Sequence, residues 1–200
     1  MPGEPSTRRG RASRERIVEQ AAELFAERGI AATSVDEVLV AAGAGKGQFY
    51  HYFRGRDELA AAAVGFRCAQ VVAGLTQALG AVSSLAELEQ ALAGFTAGFE
   101  QMGMPGCPIG TLATEVAGRN EGARVQAATG FDAWERLLAD ALERMRQRGE
   151  LRADAPPAML ATGLLASIEG GMVLSQARQD MTSLRVAVET GLAHVRTYAS

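Results

Sequence analysis

An all-helical protein is what this sequence predicts, and three observations carry that prediction. Apolar residues recur at intervals of three and four along most of the chain. No stretch alternates apolar and polar residues as a half-buried strand does, and neither Asn-Gly nor Asp-Gly occurs as a hairpin turn. The breaks between periodic segments, "GMPGCP", "GRNEG", "RGELRADAPP" and "QDMTS", carry Gly, Pro or capping residues. The 200 residues are 48% hydrophobic and 22% charged, ordinary usage for a globular chain. At about 150 residues per domain they leave room for one domain or two small ones.

The opening "MPGEPSTRRGRA", rich in Pro, Gly, Ser and Arg, reads as a flexible basic tail over residues 1–12. Ser13 is the candidate cap of a first helix, in which Ile17, Ala21, Leu24 and Phe25 repeat at helical spacing and Gly29 closes the segment. Ser34 then precedes Val35, Val38, Leu39 and Ala42, and Glu37 three residues after the serine completes a capping box. Gly43 stops this short helix. A further short helix follows, with Phe49 and Phe53 on one face and Lys46, Gln48, Tyr50 and His51 pointing elsewhere. Two short helices joined by a tight glycine turn make a helix-turn-helix.

Residues 13–58 are therefore expected to form one domain and residues 59–200 a larger helical one. A long helix from Arg56 to about Gly80 would link them, with further helices over 84–102, 108–118, 121–148, 156–179 and 183–199.

The stretch "AAGAGKGQFYHYF", residues 41–53, has the look of a phosphate cradle. A nucleotide P-loop needs a glycine five residues before the glycine of its Gly-Lys pair and a Ser or Thr after the pair, for magnesium. Here Val40 and Gly47 stand at those positions, and no parallel-sheet pattern surrounds them. DNA phosphate fits better, because the second helix of a helix-turn-helix enters the major groove while neighbouring groups grip the backbone. Lys46, Arg54 and Arg56 supply cations on both sides of the aromatics, and Gln48 can read a base edge.

Charge distribution agrees with that reading. Net charge is −3, which argues against a generic nucleic-acid coat, and residues from 61 onward hold 11 basic against 14 acidic groups. The basic patches lie at residues 8–16 and 44–56. The tail arginines either are solvated or serve as an arm that enters a minor groove or grips backbone.

Other chemistries find little support. Cys68 and Cys107 form no C-x-x-C pair, and with His51 and His194 as the two histidines a zinc site lacks ligands, so no metal or cofactor is expected. Cys107 has no histidine near it in sequence and reads as a small hydrophobe. Glu115 and Glu169 lie on otherwise apolar helices without an identifiable acid, base and substrate anchor, so catalysis is not predicted. Glu169 would be a hydrogen-bonded polar group at an interface or a pocket anchor. The basic start is followed by a carboxylate-studded segment and not by a signal's apolar run, and the apolar stretch 158–174 is shorter than a membrane span and carries Glu169. A cytoplasmic protein with no membrane partner is expected.

The stretch "TSVDEVLVAAGAGKGQFYHYFRGRDELA", residues 33–60, with "AAELFAERG" before it, resembles the N-terminal DNA-binding domain of the tetracycline-repressor (TetR/AcrR) family of bacterial regulators. The G-x-x-K-G-x-x-Y-x-Y-F run from Gly43 to Phe53 is the most specific part. The resemblance implies a three-helix DNA-binding head on a helical ligand-binding body, acting as a homodimer. Carried over by position, Thr33 and Ser34 would touch phosphate, Lys46, Gly47 and Gln48 would face the groove, and Tyr50, His51, Tyr52 and Arg56 would hold backbone or base edges. The family often has Ser or Thr where Gly45 stands, and a glycine cap costs only a few tenths of a kcal/mol.

"GCPIGTLATEVA", residues 106–117, resembles a middle helix in family members that respond to drug-like or aromatic compounds. Phe66, Phe95, Phe99 and Met102, with Met104, Phe131, Trp134 and Met172, are candidates for an apolar pocket, or equally for an ordinary helical core. By the same resemblance the last two helices pair with those of a second copy, through Leu164, Leu165, Ile168 and Gly171 and through Val188, Leu192 and Val195.

The function expected is a homodimeric repressor that binds a pseudo-palindromic operator and is released by a small apolar or aromatic effector. The alternatives are an activator or architectural DNA binder of the same fold, or an enzyme on a helical scaffold.

Overall fold

A computed structural model describes Pro5 and residues 7–200. The described residues form nine α-helices: α1 Arg8–Arg28, α2 Val35–Ala41, α3 Lys46–Tyr52, α4 Arg56–Leu79, α5 Leu85–Gln101, α6 Pro108–Val116, α7 Glu121–Gln147, α8 Pro157–Arg178 and α9 Thr182–Arg196. Extended pairing among them is limited to one isolated bridge between Leu151 and Ala199.

Helix ends follow the local chemistry. Ser34 caps α2 through the expected box: its hydroxyl accepts the Glu37 N–H at 3.3 Å, and the Glu37 carboxylate accepts the Ser34 N–H at 2.8 Å. That pairing holds the Glu37 carboxyl below its ordinary pKa. Gly43, at φ +57°, makes the turn into α3 in the left-handed region that favours glycine. Gly45 caps α3 without a side chain, and Gln48 supplies half of a capping box by accepting the Gly45 N–H at 3.0 Å.

One boundary departs from the sequence prediction. The first helix begins at Arg8, not Ser13, because Thr7 takes the cap, its hydroxyl accepting the Gly10 N–H at 3.1 Å. Residues 8–12 are thus helical where a flexible tail was expected, while residues 1–4 and Ser6 of that tail lie outside the described residues. Ser13 is buried instead.

The chain divides into two compact units, residues 1–70 with 111–130, and residues 71–110 with 131–200. This differs from the expected boundary at residues 58 and 59, because α4 contributes Leu59, Ala60 and Ala63 to the core of the first unit and so offers no linker there.

The first unit is organised around Ile17, Ala21 and Phe25 of α1, Val38 and Leu39 of α2, and Phe49 and Phe53 of α3 and its end. The turn between α1 and α2 is held from two sides. Arg56, at the start of α4, donates to the carbonyls of Ile30, of Ala31 at 3.1 Å and of Thr33 at 3.2 Å. Glu115, near the end of α6, accepts the Ala31 N–H at 2.8 Å. Asn120 donates to the Asp57 carbonyl at 3.0 Å and accepts the Ala123 N–H at 2.9 Å, which ties the start of α7 to α4.

In the second unit the closest association is between α8 and α9. Leu160, Leu164, Leu165, Ile168 and Met172 of α8 are buried, as are Leu184, Val188, Leu192 and Val195 of α9. A Cβ on Gly171 would come within 2.8 Å of the Ala187 Cβ and 2.9 Å of the Leu184 Cα, so glycine is what lets the two backbones approach. Ser175, fully buried, accepts the Leu184 N–H at 2.9 Å and fixes the turn between the helices. By length and composition α4 and α8 are apolar enough to cross a membrane.

Candidate nucleic-acid interface

Helix α3 has seven residues, too few to persist alone in water. It is seated by Phe49 and Phe53, 2% and 0% exposed, whose ring centroids are 5.5 Å apart. Burying two such rings removes enough apolar surface to contribute about 1.5–3 kcal/mol each. Helical geometry then turns Lys46, Gly47, Tyr50 and His51 to the surface. Tyr50 is 65% exposed although its ring meets Phe49 edge-on at 5.1 Å. His51 packs edge-on against Tyr52 at 5.1 Å and stays exposed.

Lys46, the chain's one lysine, pairs with Asp36 of α2 at 3.1 Å, both side chains being about two-thirds exposed or more. An ion pair so exposed is worth about 0–1 kcal/mol and exchanges readily for a stronger anion such as phosphate. The exposed faces of α2 and α3 thus combine a cation, an aromatic hydroxyl, an imidazole and an approachable glycine backbone. Val40, 83% exposed on α2, adds an apolar side chain to this face that was not among the expected contacts.

Four residues expected at DNA are occupied within the fold. Thr33 is 2% exposed, and its hydroxyl donates to the Gly29 carbonyl at 2.9 Å. Tyr52 is 8% exposed and packs into the core. Arg56 spends its guanidinium on the α1–α2 turn. Gln48 lies at the surface, but its amide caps α3 and donates to the Ser13 hydroxyl at 3.4 Å. Ser34 is exposed at the start of α2, where its hydroxyl also donates to Glu37 at 2.7 Å. Glu115 was missed as a support of this unit because its partner, Ala31, lies 84 residues away in sequence.

The pocket candidates are divided. Phe66 packs against the core of the first unit, beside α1. The other seven fall in the second unit, where Phe95 and Trp134 meet at 5.8 Å between ring centroids. Phe99, Trp134 and Met172 are buried, Phe131 and Met104 are half-buried, and Met102 is 69% exposed.

Glu169 of α8 lies beside the Cys107 thiol, and one of its carboxyl oxygens is buried with no hydrogen-bond partner among the described residues. Burial holds the Glu169 pKa above the ordinary carboxylate value. Burial, with the neighbouring carboxylate, pushes the Cys107 thiol up to about 12, so that it carries no thiolate at neutral pH.

The dimer candidates Leu164, Leu165, Ile168, Gly171, Val188, Leu192 and Val195 are all buried within the single chain. Among the residues that α8 and α9 leave exposed are Met159, Gly163, Ala166, Gly170, Val173 and Leu174, with Val186, Thr190 and Ala193.

Residues 17–63 match the family model for bacterial regulatory proteins of the tetR family, and residues 84–190 match that for the C-terminal domain of LmrA/YxaF-like transcriptional regulators. The HTH-type transcriptional regulator YxaF of Bacillus subtilis is 33% identical over 180 residues, covering 88% of this chain and 92% of that protein. The reduced form of E. coli NemR superimposes with a TM-score of 0.76 at 26% identity, over 94% of this chain and 98% of that one. A SmeT–triclosan complex shares the fold, with a TM-score of 0.69 at 23% identity over 94% and 92% of the two chains.

Proposed function

Since this chain belongs to the TetR family of bacterial transcriptional regulators, we propose that it is a homodimeric repressor, bound to a pseudo-palindromic operator and released by a small apolar effector. That it is a DNA-binding transcriptional regulator and not an enzyme follows from the family. The sign of regulation, the dimer, the operator and the effector are the proposal.

The observation that carries the DNA-reading assignment is the division of α3, with Phe49 buried on one side and Lys46, Gly47, Tyr50 and His51 exposed on the other. In this reading Lys46 exchanges Asp36 for a backbone phosphate, Ser34 touches phosphate at the start of α2, and Tyr50 and His51 reach base edges or backbone. Gly47 lets the backbone of α3 approach closely. Thr33, Gln48, Tyr52 and Arg56 act from behind, by fixing the two helices that make the contacts.

Dimerisation is assigned to the exposed stripe of α8 and α9, supported by the exposed apolar side chains Met159, Val173, Leu174 and Val186 on these two helices. A two-fold dimer presents two heads, which a pseudo-palindrome mirrors. The effector is assigned to the apolar interior of the second unit, and SmeT, of the same fold, has been solved as a complex with triclosan. Glu169 supplies a polar contact there. An effector releases DNA only by favouring a conformation whose heads no longer fit the operator. The cytoplasm is where such a regulator meets its DNA.

The test is selection of bound duplexes from a randomised pool by the purified protein at physiological salt. A recovered palindrome supports a dimeric sequence reader. Recovery of no preferred sequence by a folded dimer would sink the assignment of α3.

A further inference from the structure

The arginines that open the chain sit in a helix, and that decides between the two ways a basic segment can hold DNA. An arm that enters the minor groove must be extended, because the groove is about 6 Å wide whereas an α-helix with its side chains is about 10–12 Å across. Arg8 and Arg9 belong to the first turn of α1, capped by Thr7. Arg11 donates to the Pro5 carbonyl at 3.4 Å, which holds Pro5 against the same turn.

This end of α1 runs beside α3. Along residues 10–16, a Cβ on Gly10 would come 3.7 Å from the Tyr52 hydroxyl, and Ser13 accepts from Gln48. Arg14 stands 5.2 Å over the Phe53 ring, and Arg16 donates to the Ala42 carbonyl at 3.0 Å. At about 100° per residue, Arg9 and Arg16 project within about 60° of Ser13. Ser13 touches the flank of α3 next to its exposed face, so Arg9 and Arg16 border that face, whereas Arg8 projects about 140° away from Ser13. Arg8 and Arg9 are exposed, with no ion pair to a described residue.

Resting on the DNA-reading assignment of α3, we propose that the first two turns of α1 form a rigid second contact surface for the DNA sugar-phosphate backbone, with Arg9 as its exposed cation beside α3. Glu15 is the one acid of α1 among residues 8–16, against five arginines, and Glu19, Glu23 and Glu27 lie beyond, so the helix is predominantly basic where it flanks α3 and acidic where it leaves. Its contribution is sequence-independent: affinity and register, not base choice.

The experiment measures binding of the full-length protein to the duplex recovered by selection, as a function of salt. The variant Arg9→Ala is expected to lower the slope of log affinity against log salt by about 0.9, for one phosphate neutralised, while selecting the same sequence. Ala12→Pro, which keeps every charge but breaks the helix between the arginines and the head, is expected to produce most of that loss. Unfolding midpoints close to wild type serve as the control. An unchanged slope in Arg9→Ala overturns the proposal. A reduced slope there with full binding by Ala12→Pro also overturns it, in favour of a flexible arm. Failure of the wild-type protein to bind any duplex would instead remove the reading of α3 on which this surface depends.

Discussion

Helices α2 and α3 have seven residues each and meet through a glycine turn, whereas α8 and α9 have 22 and 15 and interlock along their length. The short pair depends on its surroundings: a capping box, two phenylalanines, and the Arg56 and Glu115 contacts that hold the turn before it. The long pair depends on itself, and glycine lets the backbones close. Their outer faces differ accordingly. The short pair shows Lys46, Tyr50 and His51 to solvent; the long pair shows Met159, Val173 and Val186. A polar, cationic and aromatic face on a small, exactingly placed helix suits a nucleic acid. A continuous apolar stripe on long helices suits a second protein surface.

Removing what the short pair leans on should have the largest effect. Phe53→Ala is expected to cost about 3–5 kcal/mol in denaturant unfolding and to abolish DNA binding with it. A loss below about 1 kcal/mol would mean that α3 does not depend on this seat.

Glycines separate the two pairs by sign. Gly171→Ala gains up to about 1 kcal/mol of helix propensity, but overpacking against the Leu184 backbone costs about 1–3, so a net loss of stability is expected. Gly47→Ala meets nothing within 4 Å. There the propensity gain of up to about 1 kcal/mol should appear as a higher unfolding midpoint, while DNA affinity falls. If both substitutions stabilise, the close approach of α8 and α9 is not what glycine provides.

Lys46→Ala should leave stability within about 1 kcal/mol, since its ion pair is exposed. It should reduce the salt slope of DNA binding by about 0.9. An unchanged slope would take Lys46 off the phosphates.

The smallest effect belongs to Glu169 and is read against pH. Its folded pKa lies above its ordinary value of 4.5, so the folded state binds a proton more tightly than the unfolded one. Stability from this group is full below the unfolded pKa and is lost as pH rises through the folded pKa. Glu169→Gln should therefore gain relative to wild type as pH rises through that window, and parallel stability curves for the two proteins would show the carboxyl to be unperturbed.

Much of this architecture was readable in advance. The Ser34 and Glu37 box, the turn at Gly43, and the seating of Phe49 and Phe53 all lie within a few residues of one another, so spacing and side-chain chemistry specify them directly. The start of α1 escaped because both Thr7 and Ser13 are good caps, and local sequence does not choose between them. The site residues were harder. Tyr50 and Tyr52 differ by two positions in a helix, yet one is exposed and the other is core. Thr33 and Arg56 carry groups suited to phosphate and spend them on the backbone of their own turn.

The sequence by itself determined an all-helical chain, the positions of the short helices α2 and α3 and, through the resemblance of residues 33–60, the family. Tertiary structure alone decided which face of α8 and α9 remains for a partner, which polar side chains are already committed, and that the leading arginines stand on a helix beside α3. The physical reason is reach. Helix periodicity and capping act over three or four residues, whereas burial and hydrogen-bond commitment are settled by partners such as Glu115 and Ala31, which the sequence sets far apart and the fold brings to 2.8 Å.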